Sequence, residues 1–237
     1  MSGADRALRW DACLNVRDLG GLSAAAGRVR RGALVRADAL YRLNAVGREA
    51  MAAHGVRTVI DIRYPRESAA YPDPFEDGGD RIAYLNLPLE TDAASKVASA
   101  SSSRVEFSAV ILELCRANFG AIAAAIADAG PGGIVIHCTA GKDRTGLMTV
   151  LLLDLLGTPA EEIGADYALT EAALAPLFDE LIAQAETAER RAEALLALGN
   201  PEGLRQIADQ NDRVAHASIS RARTRSRDIA VRPQPRR

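Results

Sequence analysis

The stretch IVIHCTAGKDRTG, residues 134–146, constrains the fold of this chain more than any other segment. Its β-branched start, Ile134–Ile136, predicts a buried strand that ends at Cys138. Gly141 permits a tight turn, and the apolar residues that follow predict a helix over 144–156. A strand, a short loop and a helix in this order are typical of α/β proteins, because the helix packs back on the sheet.

The rest of the chain alternates strands and helices in the same way. Apolar runs predict further strands at 33–37, 56–61 and 81–89, and further helices at 45–54, at 105–129, from Thr158 and at 171–198. We therefore expect an α/β fold with a mostly parallel central sheet flanked by helices, including a helical C-terminal part. The serine-rich segment 91–107 is either a lid over a site or an ordinary surface loop.

Composition and cysteine spacing limit the class of protein. A chain of 237 residues with 48% apolar residues can bury one domain core, which we place at 1–199. Residues 200–237 are polar and arginine-rich, and we expect a disordered, solvated tail with no nucleic acid partner; the alternative is that its arginines bind nucleic acid or anionic lipid. Neither a signal peptide nor an apolar run of about 20 residues is visible, so we expect a cytoplasmic protein without a membrane span. The three cysteines form neither a disulfide framework nor a zinc pattern.

The loop after the strand 133–138 carries residues suited to binding an anion. Cys138 lies at the carboxyl edge of the predicted sheet, where α/β proteins form ligand clefts. Inward-facing backbone N–H groups and the positive end of the next helix favour a thiolate there. Arg144 is close enough to hold two phosphate oxygens with its planar guanidinium. A thiolate beneath such a clamp indicates phosphoryl transfer through a phosphocysteine on Cys138.

The remaining residues of this loop are expected to bind substrate. Backbone N–H groups of the turn and the cation of Lys142 cradle the phosphate, and Thr145 either gives its hydroxyl to the sulfur or caps the helix. The expected substrate-binding residues of the loop are Thr139, Ala140, Gly141, Lys142 and Thr145.

Several motifs together resemble one known family. The segment HCTAGKDRTG is similar to the loop His-Cys-x-x-Gly-Lys-Asp-Arg-Thr-Gly of the bacterial tyrosine phosphatases. The segments NVRDLGGL, LVRADAL, VIDIRYPRE and IGADYALT match further motifs of that family in the expected order, at 15–22, 34–40, 59–67 and 163–170. The resemblance spans about residues 10–198.

The resemblance implies both a fold and an activity. The fold is that of the cysteine-dependent phosphatases, and the activity is phosphate removal without a metal or cofactor. The implied substrate is a phosphotyrosine protein, and some members also accept phosphoserine, phosphothreonine or phosphoinositide head groups. This breadth is associated with Lys142, which adds a second cation to the loop.

Other functions fit the same residues less well. A nucleotide P-loop is excluded, because it needs a glycine and a hydroxyl where this chain has Ile136 and Asp143. A rhodanese-like sulfurtransferase also places a reactive cysteine in a cationic loop, but the outlying motifs favour a phosphatase. A non-catalytic module that binds phosphate or phosphoinositide remains an alternative, since a fold does not guarantee its chemistry.

Proton transfer to the leaving group requires an acid near the loop. Asp61 is the favoured acid because it ends a strand at the same sheet edge; the alternative is an ion pair with Arg63 or Arg66. Asp143 lies in the loop itself and either supports Asp61 or acts as the base for hydrolysis of the phosphocysteine. His137 precedes the cysteine on the strand, so it faces the opposite side of the sheet and shapes the loop by hydrogen bonding.

A further set of charged residues is assigned to substrate binding by the resemblance, namely Arg17, Asp18 and Arg63. For Arg17 and Asp18, a buried structural ion pair is the alternative. Arg36 and Asp38 fall in the same category.

Overall fold

A five-stranded mixed sheet forms the centre of the protein in a computed structural model that describes residues 3–78 and 81–184. The strands are β1 (Arg17–Asp18), β2 (Ser23–Ala24), β3 (Gly27–Arg28), β4 (Leu34–Ala37), β5 (Val56–Asp61), β6 (Ala83–Asn86) and β7 (Gly133–His137). The order in the sheet is β1-β4-β7-β5-β6, with β1 antiparallel to β4 and the other pairs parallel. The strands β2 and β3 form a separate hairpin. The predicted α/β fold with a mostly parallel sheet is confirmed.

Helices flank this sheet, and several of them differ from the prediction. They are α1 (Ala45–Ala53), α2 (Pro65–Ala70), α3 (Asp92–Ala98), α4 (Arg104–Leu114), α5 (Arg116–Ala127), α6 (Asp143–Leu155) and α7 (Ala160–Gln184), with 3-10 turns at Gly3–Arg6 and Leu40–Arg42. The helices α2 and α3 were not predicted, and the bounds of α4, α5 and α7 are different. The single helix predicted at 105–129 is divided at Cys115, whose backbone leaves the helical region, and the two parts bend by 74°. The helices predicted from Thr158 and at 171–198 are one continuous helix, α7, as far as residue 184.

The predicted lid segment 91–107 is helical over much of its length. It contains α3 and the start of α4. Ala94 and Ala98 are buried, and they belong to the same apolar cluster as Cys138. The segment is therefore packed on the core rather than being an irregular surface loop, and its action as a lid stays a prediction.

Two further predictions concern the C-terminal tail and the absence of a membrane span. The predicted tail at 200–237 and the end of the last predicted helix lie outside the described residues, so the domain boundary at 199 stays a prediction. Among the described helices, none is by itself long and apolar enough to cross a bilayer. Only α4 and α5 together, across their bend, reach the required length and composition.

Strand alternation divides the core into two apolar clusters on opposite faces of the sheet. Ile60, Ile136 and Cys138 belong to one cluster, and Val59 and Val135 belong to the other. In the parallel register, β7 pairs with β4 through His137↔Ala37 and with β5 through His137↔Asp61. The three strands therefore end at the same level, and the loop after β7 starts from this common edge.

Candidate active site

The cysteine loop, residues 138–142, connects β7 to α6. Cys138 is only 2% exposed. Gly141 has a positive φ of 65°, and a Cβ atom at this position would lie 2.5 Å from the carbonyl oxygen of Ala37. Both the backbone angle and the space therefore require glycine. The helix α6 then begins at Asp143, so its N-terminus points at the loop, as the sequence predicted.

Arg144 is held at the loop by a carboxylate that was not predicted. Its Nη1 and Nη2 donate to Glu67 Oε2 and Oε1 at 2.5 Å and 2.9 Å, and the Thr139 hydroxyl donates to Glu67 Oε1 at 2.8 Å. Burial raises the pKa of Glu67, but the bonds from Arg144 and Thr139 outweigh it and lower the pKa to about 2. The carboxylate is therefore ionised and fixes the guanidinium, whose remaining N–H groups can face a phosphate.

Glu67 could have been found from the sequence, since it lies at the end of the motif VIDIRYPRE. Pro65 stands in the first turn of α2, and Glu67 accepts from the backbone N–H of Tyr64 at 3.0 Å, as in a capping box. The Tyr64 ring also lies near the clamp, with its centroid 5.5 Å from Arg144 Cζ. The short helix α2 thus places both a carboxylate and an aromatic ring beside the cysteine loop.

Lys142 and Asp143 lie where the cysteine loop joins α6. Lys142 is 6% exposed, and burial lowers the pKa of its ammonium, an effect that Asp143 opposes and Arg104 reinforces. Asp143 has a side chain that is 48% exposed, with Oδ2 at 3.7 Å from Arg104 Nη2. Asp143 is thus a half-exposed carboxylate at the start of α6, directly after the cysteine loop.

Thr145 is fully buried in the first turn of α6, directly after the cysteine loop. Its hydroxyl has no hydrogen-bond partner among the described residues. Lys142, not Thr145, occupies the cap position of α6, so the capping alternative does not hold. An unpaired buried hydroxyl next to the loop is consistent with the other expectation, a bond to the cysteine sulfur.

Asp61 and Arg63 lie in a different environment from the one predicted. Asp61 pairs in register with His137, so both side chains face away from Cys138 across the sheet. Arg63 Nη2 and the Tyr84 hydroxyl donate to Asp61 Oδ2 at 2.6 Å and 2.9 Å. Burial raises the pKa of Asp61, but His137 and Arg63 outweigh it and lower the pKa.

This environment corrects the two assignments. A fully buried, ion-paired carboxylate on the far face has no proton to give to a group bound at Cys138. Arg63 is committed to Asp61 and to the carbonyl oxygen of Tyr71, to which its Nη1 donates at 3.0 Å. The geometry therefore supports the alternative, a structural ion pair, over general acid catalysis by Asp61 and substrate binding by Arg63.

His137 faces the opposite side of the sheet from the nucleophile, as predicted. Its Nδ1 donates to the carbonyl oxygen of Cys138 at 3.2 Å, and its Nε2 lies 3.3 Å from Asp73 Oδ2. The side chains of His137, Asp61 and Asp73 are close enough together to share a cation. The Arg63 guanidinium already occupies Asp61, and the predicted role of His137, shaping the loop by hydrogen bonding, is consistent with its bond to the Cys138 carbonyl oxygen.

Behind the loop lies a buried charge cluster, the Asp166 cluster, formed by Arg6, Arg17, Arg36 and Asp166. Each arginine contacts the Asp166 carboxylate, with shortest distances of 2.6 Å, 3.1 Å and 3.0 Å respectively. Burial raises the pKa of Asp166, but Arg17 and Arg36 outweigh it and hold the pKa far below its ordinary value. Arg17 is therefore in the ion pair that was the alternative to a position on the wall of the substrate site.

Two further charged residues of the motifs NVRDLGGL and LVRADAL, Asp18 and Asp38, also have structural partners. Asp18 accepts from the backbone N–H groups of Gly20 and Gly32, at 2.7 Å and 2.8 Å. Asp38 accepts from the backbone N–H groups of Leu14 and Asn15, each at 3.1 Å. These contacts fix loops at the edge of the sheet, and a role of either carboxylate in substrate binding stays a prediction.

Comparison with known proteins places this site in a family. A model described as the tyrosine phosphatase family matches residues 8–229, which extends past the predicted domain end at 199. The chain therefore belongs to the tyrosine phosphatase family.

Individual relatives agree with this assignment. A tyrosine-protein phosphatase of Nostoc commune is 37% identical over 58% of this chain and 48% of its own length. The triple specificity protein phosphatase PtpB of Mycobacterium tuberculosis is 28% identical over 65% of this chain and 65% of its own length. The chain thus spans about half to two thirds of these relatives. A crystal structure of P. aeruginosa TpbA in complex with phosphotyrosine matches 88% of this chain and 99% of that chain at 15% identity, with a TM-score of 0.38.

Proposed function

We propose that this protein is a protein-tyrosine phosphatase that hydrolyses phosphate monoesters through a phosphocysteine on Cys138. The observation that carries this is the joint placement of Cys138, at the start of the loop between β7 and α6, and of Arg144, in the first turn of α6 and fixed by Glu67. A nucleophile beneath a fixed guanidinium and inward-facing amides is suited to a phosphoryl group in transfer.

The chemistry follows in two steps. In the first, the Cys138 thiolate attacks phosphorus, an S–P bond forms, and the P–O bond to the leaving group breaks. The leaving oxygen takes a proton from Asp143, the half-exposed carboxyl group that directly follows the loop. In the second step, water attacks the phosphocysteine and gives its proton to Asp143, and the S–P bond breaks to release inorganic phosphate and the thiolate.

The proposed substrates are phosphotyrosine proteins, with phosphoserine, phosphothreonine and phosphoinositide head groups as further candidates. The buried Lys142, two residues before Arg144 in the chain, supports substrates with more than one phosphate. The printed name of the mycobacterial relative, a triple specificity phosphatase, supports the same breadth. No cofactor takes part in the proposed reaction.

The test compares the wild type with Cys138→Ser on an aryl phosphate, a phosphotyrosine peptide, a phosphoserine peptide and a phosphoinositide, with chelator present. We expect phosphate release by the wild type and none by Cys138→Ser, with vanadate binding retained in both. Rapid quenching of the wild type should trap phosphate on Cys138. Loss of activity with chelator, or activity in the serine variant, contradicts the mechanism; phosphate binding without turnover identifies a binding module instead.

A further inference from the structure

The carbonyl oxygens of the cysteine loop are held from behind by two side chains. Asn15 Nδ2 donates to the carbonyl oxygens of Ala140 and Gly141, each at 3.0 Å. Arg36 Nη2 donates to the carbonyl oxygen of Gly141 at 2.8 Å. Asn15 and Arg36 are fully buried, at 0% and 1% exposure, so these bonds form away from solvent. Two consecutive peptide groups of the loop are therefore fixed in orientation.

Fixing the carbonyl oxygens also fixes the amide protons. In a trans peptide the C=O and N–H groups point in opposite directions, and the described residues contain no cis peptide bond. The peptide N–H groups of Gly141 and Lys142 therefore point away from Asn15 and Arg36. An oxyanion bound in the loop needs amide donors with this inward orientation.

The two side chains are themselves oriented by the Asp166 cluster. Arg36 Nη1 donates to Asp166 Oδ2 at 3.0 Å, which leaves Nη2 directed at the loop. Arg17 Nη1 donates to Asn15 Oδ1 at 2.6 Å, and this bond sets which end of the Asn15 amide faces the loop carbonyls. Arg17 in turn contacts Asp166 through Nε at 3.1 Å. The Asp166 carboxylate on α7 therefore fixes the orientation of both donors, directly for Arg36 and through Arg17 for Asn15.

The charge of the cluster acts in the same direction. It contains three buried guanidinium groups and one carboxylate. Burial and the neighbouring Arg36 lower the pKa of Arg17 to about 10, which still leaves it charged at neutral pH. This excess of positive charge behind the loop makes the electrostatic potential in the loop more positive, because the protein interior screens charges weakly. A more positive potential favours binding of a phosphate dianion.

We propose that Asn15 and Arg36, oriented by Asp166, are positioning residues that aim the Gly141 and Lys142 amides at the phosphoryl group. The proposal rests on the proposed function, since it assigns these residues to oxyanion binding at the same site. They do not touch the reacting atoms; they act through the backbone of the loop. From the sequence, Arg36 was expected at most in the wall of the site, and no role was predicted for Asn15 or Asp166.

The test uses Asn15→Asp, which keeps the shape of the side chain and an acceptor for Arg17 but removes both donors to the loop. We expect kcat to fall about 10- to 10³-fold, in the range seen when oxyanion donors are lost, and the Kd for inorganic vanadate to rise at least about tenfold. Arg36→Lys, which keeps the charge but loses the fork, should show a smaller effect of the same kind.

The matched control is Thr170→Val. Thr170 accepts from Arg17 Nη2 at 3.0 Å, so this variant removes a buried bond beside the Asp166 cluster but keeps the bonds of Arg17 to Asp166 and Asn15. We expect near wild-type kcat and vanadate affinity for it, with Tm and circular dichroism recorded for all variants. Equal losses in Thr170→Val and Asn15→Asp, or wild-type values in Asn15→Asp, overturn the proposal. Vanadate binding is measured separately from turnover. A wild type that binds vanadate but has no activity would contradict the proposed function, whereas the positioning roles of Asn15 and Arg36 could still be tested by vanadate affinity.

Discussion

Glu67 holds the guanidinium of Arg144 through both carboxylate oxygens, at 2.5 Å and 2.9 Å. The substitution Glu67→Gln removes the charge and one acceptor of this pair. Because hydrogen bonds to charged groups contribute about 1.5–3 kcal/mol, we expect kcat/KM to fall about 10- to 100-fold. Glu162→Gln is the control, since the Glu162 carboxylate accepts hydrogen bonds from the backbone N–H and the hydroxyl of Ser23, away from the cysteine loop. Unchanged kcat/KM in Glu67→Gln would show that the clamp does not need this partner.

The same pair predicts a dependence of stability on pH. The folded protein holds the pKa of Glu67 at about 2, against an ordinary value of 4.5. A lowered pKa contributes stability that is complete above the ordinary value and is lost as pH falls toward the folded value. The difference in free energy of unfolding between wild type and Glu67→Gln should therefore be constant from about pH 7 to about 5 and shrink below the ordinary pKa. Urea unfolding of both proteins from about pH 7 down to about pH 3 measures this difference. A difference in free energy of unfolding that stays the same in acid would contradict the prediction.

Gly141→Ala should damage the loop more than a comparable substitution elsewhere. Gly141 and Gly78 have nearly the same positive φ, 65° and 70°, but only at Gly141 would a Cβ meet backbone, at 2.5 Å from Ala37. Both alanine variants carry the cost of the left-handed conformation, roughly 1–2 kcal/mol. Gly141→Ala should in addition lose at least about tenfold in kcat, since a shift of the loop misplaces its donors. Chemical denaturation and steady-state kinetics of Gly141→Ala and Gly78→Ala distinguish backbone strain, which both variants have, from the steric clash expected only at residue 141. Equal losses of stability and kcat in the two variants would contradict that clash.

Asp143 and Asp61 should respond differently to the same amide substitution. Asp143→Asn should lose about 10²–10⁴ in kcat on substrates with poor leaving groups and much less on good ones, as expected for a proton donor. Asp61→Asn should instead lower stability by about 3–5 kcal/mol, because it leaves Arg63 buried without its partner. Kinetics over a series of aryl phosphates, together with Tm values, distinguish the two. A leaving-group dependence in folded Asp61→Asn would return the acid role to that residue.

The fold class and the cysteine loop could be predicted from sequence because both depend on local signals. The β-branched run before Cys138, the glycine at 141 and the apolar helix after it each specify their own conformation. The break in the helix at Cys115 has no such signal, since neither proline nor glycine stands there. The short strands β1 to β3 were missed because two residues give no periodicity.

The partners of the loop could not be predicted because they depend on contacts through space. Asn15 and Asp166 lie in segments that match the family motifs, but only the folded chain shows that Arg17 links them behind the loop. Asp61 was misjudged for a different reason. Its position at the sheet edge was correct, but its strand register with His137 places its side chain on the far face.

Asn15 and Ala140 are separated by 125 positions in the chain, and Arg36 and Asp166 by 130. Pairings of such long range form late in folding, since closing large loops costs chain entropy before contacts repay it. A nascent or partly unfolded molecule therefore lacks the bonds that hold the carbonyl oxygens of Ala140 and Gly141. The geometry of the cysteine loop is thus tied to the meeting of segments from distant parts of the chain, and it is assembled only when they have come together.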